Sequence, residues 1–528
     1  MMPLAIPLAV FSRIDWLVVG AYLALMAVIG TWASRRKTDA EGYFLAERRM
    51  PTFAVALSLV ATSLSVATFV GAPQESFNGD LTYLSLNLGG FLAVLVVATL
   101  FIPRLYRAGT MTIYGYIDQR FGETAKIALS CMFLLGRLLA SGARLFIAAI
   151  PLCLLIYGTF EPTRWQLICA IMLIGAVGTA YTIAGGIRAV IWTDTAQITI
   201  VFGTLLLSIG LLLWKIPLDL GGIANVLCEP VLGDGHSKLR LIDFSLQGEY
   251  TIWTALIGST FLSTAVYGVD HDFAQRMLTA KSAWRGSISL IVAQVIGLIV
   301  VSAFIAVGLL LYIFYKRPDV MGAAAPLDQV QTTMGVYPQF LLAHMPRGCA
   351  GLAIAGMFAA AQGSLDSAIN AMASSAVADL YWPIRSKLGY AVDTSERARS
   401  PRIAVAIMGA VLIGFAILSA LRYDPRERTL LNFALGVMSF AYSGMLGVFL
   451  TARLTRRGNT ASVLAALVSG VIVVTLLQDS NFGWMTRAAL GRTIKLPSFW
   501  WMPIATTIAF AVCLLGSPDR SRRKNQHK

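Results

Sequence analysis

Charge is scarce in this chain. Only 13% of its 528 residues are Asp, Glu, Lys or Arg, against 57% that are hydrophobic, too little polar surface for a water-soluble fold of this length. Histidine is scarcer still. The four residues His236, His271, His344 and His527 are scattered over loops and the tail, and there is no HExxH, GxSxG, Walker-type loop or Cys/His ligand spacing, which excludes the common membrane-enzyme chemistries. Of six cysteines, Cys131, Cys153, Cys169 and Cys513 fall in apolar runs and read as buried thiols, so that only Cys228 and Cys349 are placed to meet across an oxidising face. Low-complexity segments and flexible linkers are also missing, which leaves one domain.

What is present is a succession of apolar runs near the roughly 20 residues needed to span a bilayer. They lie at 15–33, 52–74, 82–103, 127–157, 165–184, 189–214, 251–269, 286–315, 348–379, 403–421, 429–452, 460–477 and 498–516. The expected fold class is therefore an all-α polytopic membrane protein with about 13 transmembrane helices. The first run lacks a basic leader and a small-residue cleavage site and reads as a retained helix. The longer loops at 215–250 and 316–346 carry Pro and Gly, consistent with short helices over the outer mouth or with simple connectors.

The net charge of +15 does not point to nucleic acid, because the basic residues alternate by loop. With the N-terminus outside, 26 of the 42 Lys and Arg fall on the other side. They begin with Arg35, Arg36, Lys37, Arg48 and Arg49, continue through Arg188, Arg276 and Arg402, and end in the tail with Arg520, Arg522, Arg523, Lys524 and Lys528. The positive-inside rule then gives N-out, C-in, and the expected setting is the cell (inner) membrane, the chain working as a monomer in the lipid bilayer with no nucleic-acid partner.

Two runs carry oxygen-bearing side chains where lipid penalises them. Residues 358–381 hold Ser364, Asp366 and Ser367 within four positions; such groups in a span mark an ion or substrate path, and hydroxyls with a carboxylate suit a small hard cation or a proton. Residues 51–80 hold Ser58, Thr62, Ser63, Ser65 and Thr68, followed by Gly71, Ala72 and Pro73. This composition predicts an interrupted helix whose freed carbonyls face a cation, with a hydroxyl-rich packing face as the alternative. The chemistry is that of a cation-coupled transporter; a channel or a solute-gated sensor is the competing class.

The segments ATSLSVATFVGAP, GGIRAVIWTDTAQ at 185–197, DFAQRMLTAKS at 272–282 and AAAQGSLDSAIN, in this order, resemble the signatures of sodium:solute symporters, and the motifs lie closest to the sialic acid branch. The resemblance implies a LeuT-type fold of two inverted five-helix repeats: an extra helix at 15–33, a first repeat at 51–214, a second at 251–452 and two peripheral helices at 460–516. It also implies Na+-coupled symport of a small hydrophilic solute, with Na+ as coupling ion.

Carried over by position, the main Na+ site comprises the carbonyls of Ala61, Leu64 and Ala360 and the hydroxyl of Ser364; a second hydroxyl usual in the family is replaced by Gly363. A second cation site falls on Asp194, Asp366 and Ser367, where two carboxylates either strengthen Na+ binding or share a proton, and Asp366 is expected to offset the loss at Gly363. Substrate-lining positions fall on Ser63, Ser65, Thr68, Tyr83, Asn87 and Ser263. Leu435, at a sugar-contacting position, has no hydrogen-bonding group, and Gln294 is the nearest polar side chain for another. The arginine that holds the carboxylate in sialic acid members is Ala140 here, but Arg137 and Arg144 lie at i−3 and i+4 on the same helical face. An acidic sugar or other carboxylate is thus the preferred solute and a neutral sugar the alternative. Tyr267, Asp270 and His271 come just before the QR motif, and the lone His271 beside a loop reads as structural.

Overall fold

The computed structural model describes residues 12–35, 39–157, 162–230, 235–246, 248–322, 335–422, 429–491 and 496–517. Among them the chain is helical, with two isolated backbone bridges and no strand. Arg36, Lys37, the basic tail and the side chain of Leu435 lie outside the described residues.

Helix α1 (Arg13–Ser34) starts at a capping box in which Ser12 and Asp15 satisfy each other's backbone N–H groups. Asp15 also accepts from the N–H groups of Gly348 (2.8 Å) and Gly351 (2.7 Å), which ties α1 to the start of the central helix. A short α2 (Ala40–Leu45) leads to α3 (Thr52–Ser63) and α4 (Val66–Asn78), bent by 69°. The interruption expected from the hydroxyl-rich sequence falls at Leu64 and Ser65, both extended, and the Ser65 side chain accepts from Thr68 N–H to begin α4. Pro73, by contrast, stays inside α4.

Next come α5 (Leu86–Val96), α6 (Glu123–Tyr157) and α7 (Arg164–Lys215). The last joins two of the expected spans across Gly186, whose φ of 55° and ψ of −151° only glycine adopts readily. A methyl group there would sit 2.5 Å from the Tyr43 carbonyl oxygen. Gly186→Ala is therefore expected to cost about 2–3 kcal/mol and to lower the melting temperature by several degrees in a thermal-shift assay; an unchanged melting temperature would show that this backbone relaxes freely.

The second half of the chain contains α8 (Thr260–Gly268), α9 (His271–Leu278), α10 (Ala283–Lys316), α11 (Cys349–Ser375), α12 (Thr394–Arg422), α13 (Thr429–Leu454), α14 (Thr460–Leu477) and α15 (Trp501–Leu514). Each apolar run of the sequence lies on a helical element. By length and composition, eight helices among the described residues are able to cross a membrane, and the bent α3–α4 pair makes a ninth.

Burial orders these helices into shells. In the span Cys349–Lys387, which contains α11, 94% of the apolar window is covered, against 28% for α1. Helix α11 is thus the axis, packed by α7, α6, α12, α1, α9 and α3. Beneath it α9 forms a plug in which all eight residues are buried, although the segment is polar. On the opposite side Lys238, from the loop after α7, donates to the carbonyls of Phe77 (2.7 Å), Gly79 (2.8 Å) and Ser76 (3.3 Å) at the end of α4. Burial pushes this amine down to about 8, while the carbonyl end of a helix is the position that favours a cation. The six cysteines, Cys228 and Cys349 included, are free.

Candidate functional site

The break in α3–α4 brings a helix end into the interior beside α11. Ala61, Leu64, Ala360 and Ser364 are all buried at 4–5% exposure. The last carbonyls of α3 have no successor N–H groups once the helix stops at Leu64, and the Ser364 hydroxyl makes only a long contact to Ala361 O (3.3 Å). Opposite them, Gly363 leaves an opening: a methyl there would lie 3.1 Å from Gln197 Oε1 and 3.3 Å from the Ala61 carbonyl oxygen. Gln197 is on α7, its Nε2 turned to Met26 Sδ at 3.9 Å, and its buried Oε1 has no hydrogen-bond donor among the described residues. One turn earlier, Asp194 Oδ1 is likewise buried without a donor. Two unpartnered oxygens in a dry interior are costly on their own and are a fitting surround for a hard monovalent cation.

Two residues of the second cation site, Asp194 and Ser367, are brought together by a cation whose place in the sequence suggests a loop. Arg276, on α9, is fully buried. Its Nη2 donates to Asp194 Oδ2 (3.3 Å) and to Ser367 Oγ, its Nε to Ser58 Oγ (2.8 Å), and its Nη1 to Asp272 Oδ1 (2.6 Å). Ser58 donates in turn to Asp194 Oδ2 at 2.5 Å, and Thr62 Oγ1 lies 3.3 Å from Ser367 Oγ. Asp366 sits beside this cluster on other partners, accepting from the Tyr181 hydroxyl and, at 2.7 Å, from Ser367 N–H.

Arg137, expected among the substrate contacts, is ion-paired within the protein. It is 1% exposed, with Nη2 at 2.5 Å from Asp272 and 2.8 Å from Asp270, and Asp270 also accepts from Tyr442 at 2.6 Å. The guanidinium is held by two carboxylates through Nη2, and removing either partner would leave an uncompensated charge; its buried Nε has no hydrogen-bond partner among the described residues. Arg137 and Arg276 together face Asp194, Asp270, Asp272 and Asp366, and Arg144 lies in the field of Asp270 and Asp272, so these four carboxylates outnumber the three guanidiniums by one. His271 lies between the rings of Tyr114 and Phe133, with Nε2 at 3.3 Å from Ser374 Oγ, a packing role.

Arg144 behaves differently. Its Nη2 contacts only the Met438 sulfur, at 3.3 Å, and no carboxylate pairs with it among the described residues. Among the other substrate candidates, Asn87 Oδ1 accepts from Gln294 Nε2 (3.4 Å), and Gln294 Oε1 from the Tyr267 hydroxyl (3.2 Å), so that α5, α10 and α8 share one polar chain. Gly90 gives the Gln294 amide its room, since a methyl there would be 2.7 Å away. Tyr83 meets Tyr250 edge-on at 5.3 Å. Ser63 donates to Val60 O (2.7 Å), and Ser65 and Thr68 form the α4 cap; Ser263 and Thr68 are half-buried. The structure places none of these against Arg144 by a direct contact. Sequence reasoning missed Gln197, Tyr181 and Arg276; the polar letters of GGIRAVIWTDTAQ and of the QR motif were the available signal.

The sodium:solute symporter family profile matches residues 43–470. The human sodium/iodide cotransporter is 27% identical over 504 residues, 92% of this chain and 71% of the relative. The sodium/sialic acid symporter SiaT of Proteus mirabilis (strain HI4320) is also 27% identical, over 93% of this chain and 96% of its own. A solved structure, a Na+-coupled sialic acid symporter in a substrate-bound outward-open state, superposes with a TM-score of 0.78 at 24% identity, covering 96% of this chain and 98% of that one, which establishes a shared fold. With a broken helix, an oxygen-lined interior and a profile match over most of its length, the chain belongs to the sodium:solute symporter family, whose members are Na+-coupled membrane transporters and not enzymes.

Proposed function

We propose that this protein couples Na+ entry to uptake of a small hydrophilic carboxylate, an acidic sugar or related acid, across the cell (inner) membrane. The observation that carries the solute class is Arg144: a guanidinium in a membrane helix that has no carboxylate partner among the described residues is costly, and a planar bidentate donor is suited to a carboxylate brought by the solute. The Asn87, Gln294 and Tyr267 chain offers amides and a hydroxyl for sugar hydroxyls. The relative named as a sialic acid symporter makes such a solute chemically consistent.

In this reading the main Na+ site uses the carbonyls of Ala61, Leu64 and Ala360, the Ser364 hydroxyl and, in place of the hydroxyl absent at Gly363, the Gln197 amide oxygen. The second site uses Asp194, Asp366 and Ser367, and the excess of carboxylates over guanidiniums in the seam supports a bound cation. Substrate contacts fall to Ser63, Ser65, Thr68, Tyr83, Asn87, Ser263 and Arg144, while Arg137 ties Asp270 and Asp272 to its helix. The unit is one transmembrane domain with thirteen crossings, N-out and C-in, working as a monomer, with repeats at 51–214 and 251–452. Because Arg137 and Asp194 belong to the first repeat and Asp270, Asp272, Arg276 and Ser367 to the second, a cation at Asp194 competes with Arg276, and its arrival loosens one repeat from the other. That linkage is how ion binding biases access.

The test is uptake into proteoliposomes under an imposed Na+ gradient. Arg144→Gln is expected to raise KM for an acidic solute at least about tenfold, the range of a lost charge-assisted hydrogen bond, and to change uptake of a neutral analogue less than about twofold. Equal losses for both solutes would make Arg144 structural and leave a neutral sugar as the solute.

A further inference from the structure

A polar cavity of about 280 Å³ lies at the level of the loop after α1, lined by residues outside the candidate ion and solute sites, on the side that carries the excess of basic residues in the sequence. Its charged lining consists of Arg49, Arg188 and Arg402 against one carboxylate, Glu47, a net charge of +2. Glu47 pairs loosely with Arg49, at 3.6 Å. Two tryptophans wall it: Trp32 and Trp192 meet edge-on at 6.2 Å, and the Arg188 guanidinium lies over the Trp32 ring at 4.8 Å. Arg188 also stands two residues after the Gly186 break, in the first turn of the half-helix that runs on to Lys215, the end of a helix that favours an anion.

The position of this cavity relative to lipid decides what would occupy it. Trp32 is 45% exposed and continues the exposed apolar row of α1 through Val28 and Leu25, while Arg402 is followed on α12 by the exposed Ile403 and Ile407. The two helices that flank the opening therefore present apolar side chains to the hydrocarbon and end in Trp and Arg at the level of the headgroups, the usual distribution at a membrane interface. The rim is strained as well: Ala46, Glu47 and Arg48 are three successive non-glycine residues with φ of 50–55°, a conformation that clusters at ligand clamps.

We propose that this cavity binds the phosphodiester headgroup of an anionic phospholipid, with Arg49 and Arg402 gripping the phosphate, Arg188 held by Trp32 behind it, and the acyl chains running along α1 and α12. Basic pockets between transmembrane helices on the cytoplasmic side take such headgroups by the same chemistry. The site borders α2, the start of α3 and the Gly186 break, so a bound lipid would brace the segments on which the broken helix is mounted.

The experiment is thermal unfolding of the full chain in neutral detergent with added phosphatidylglycerol, phosphatidylcholine or inorganic phosphate. Phosphatidylglycerol is expected to raise the melting temperature by about 4 °C or more and phosphatidylcholine by less than about 1 °C, as expected for a ligand that binds only the folded state. In the Arg49→Gln/Arg402→Gln double variant the gain should fall below about 1 °C, with the lipid-free melting temperature unchanged because both side chains are exposed. The single variant Arg402→Gln should at least halve the gain, and an Arg385→Gln/Arg397→Gln control, basic residues outside the cavity, should keep it. An equal gain in the double variant, or an equal gain from phosphatidylcholine, overturns the site. A gain from millimolar inorganic phosphate that matches the lipid overturns the assignment to a lipid and makes the ligand a soluble phosphate.

Discussion

Asp366→Leu is expected to reduce Na+-driven uptake about a hundredfold or more while the protein still reaches the membrane. The carboxylate is fully buried on α11, accepts from the Tyr181 hydroxyl and from Ser367 N–H, and lies in the field of Asp194 and Arg276. Leucine removes a buried carboxylate that we assign to cation binding and leaves the Tyr181 hydroxyl without an acceptor, each worth on the order of 1–3 kcal/mol in a dry interior. Asp366→Asn separates these effects, since it keeps an acceptor for Tyr181 and loses only the charge; it should fold normally and show a raised Na+ requirement. Asp366→Ser should retain more activity than Asp366→Leu. Tyr181→Phe, which leaves the carboxylate but not its donor, should shift Na+ affinity less than Asp366→Asn. Normal Na+ dependence in Asp366→Leu, measured as uptake against Na+ concentration, would place the residue outside the ion path.

Much of this was legible from local chemistry. Hydroxyls massed at 58–68 predicted the broken helix, and the break falls among them because Ser65 can both adopt an extended backbone and cap the next helix. Pro73 misleads in that respect: a proline marks a possible break, but the surroundings of α4 tolerate it within the helix. Long-range pairing was not legible. Arg137 and Arg144 share a helical face and look equivalent in sequence, yet the α9 plug brings Asp270 and Asp272 to Arg137 from more than a hundred residues away and leaves Arg144 with a thioether. The same folding carries Arg276 from an apparent loop into the centre of the ion seam. Periodicity identifies a face; it does not say which acids from another repeat will arrive there. Gly363 shows the converse. Its lack of a hydroxyl read as a lost ligand that Asp366 would offset; Asp366 accepts from Tyr181, and the oxygens next to position 363 are Gln197 Oε1 and the Ala61 carbonyl.

Gln197→Ala is accordingly expected to raise the Na+ concentration for half-maximal uptake about 10- to 100-fold, or roughly 1.4–2.7 kcal/mol, without a comparable change in the maximal rate. The reason is geometric. Gln197 Oε1 is a buried oxygen with no donor, next to the Ala61 carbonyl at the end of α3, in the space that a side chain at position 363 would occupy. If the amide oxygen stands in for the missing hydroxyl, the two groups are alternatives, and each variant should depend on the other. Gly363→Ser alone should crowd Oε1, only 3.1 Å from the new Cβ, and weaken Na+ binding. Placed in the Gln197→Ala background, the same serine should recover most of the lost affinity, because the space is now open and a hydroxyl oxygen points into it. Thermodynamic coupling of the two changes, read from Na+ titrations of the wild type, both single variants and the double variant, is the measurement. Additive losses, with no rescue in the double variant, would show that Gln197 supports the helix packing and that the cation is held by the carbonyls and Ser364 alone.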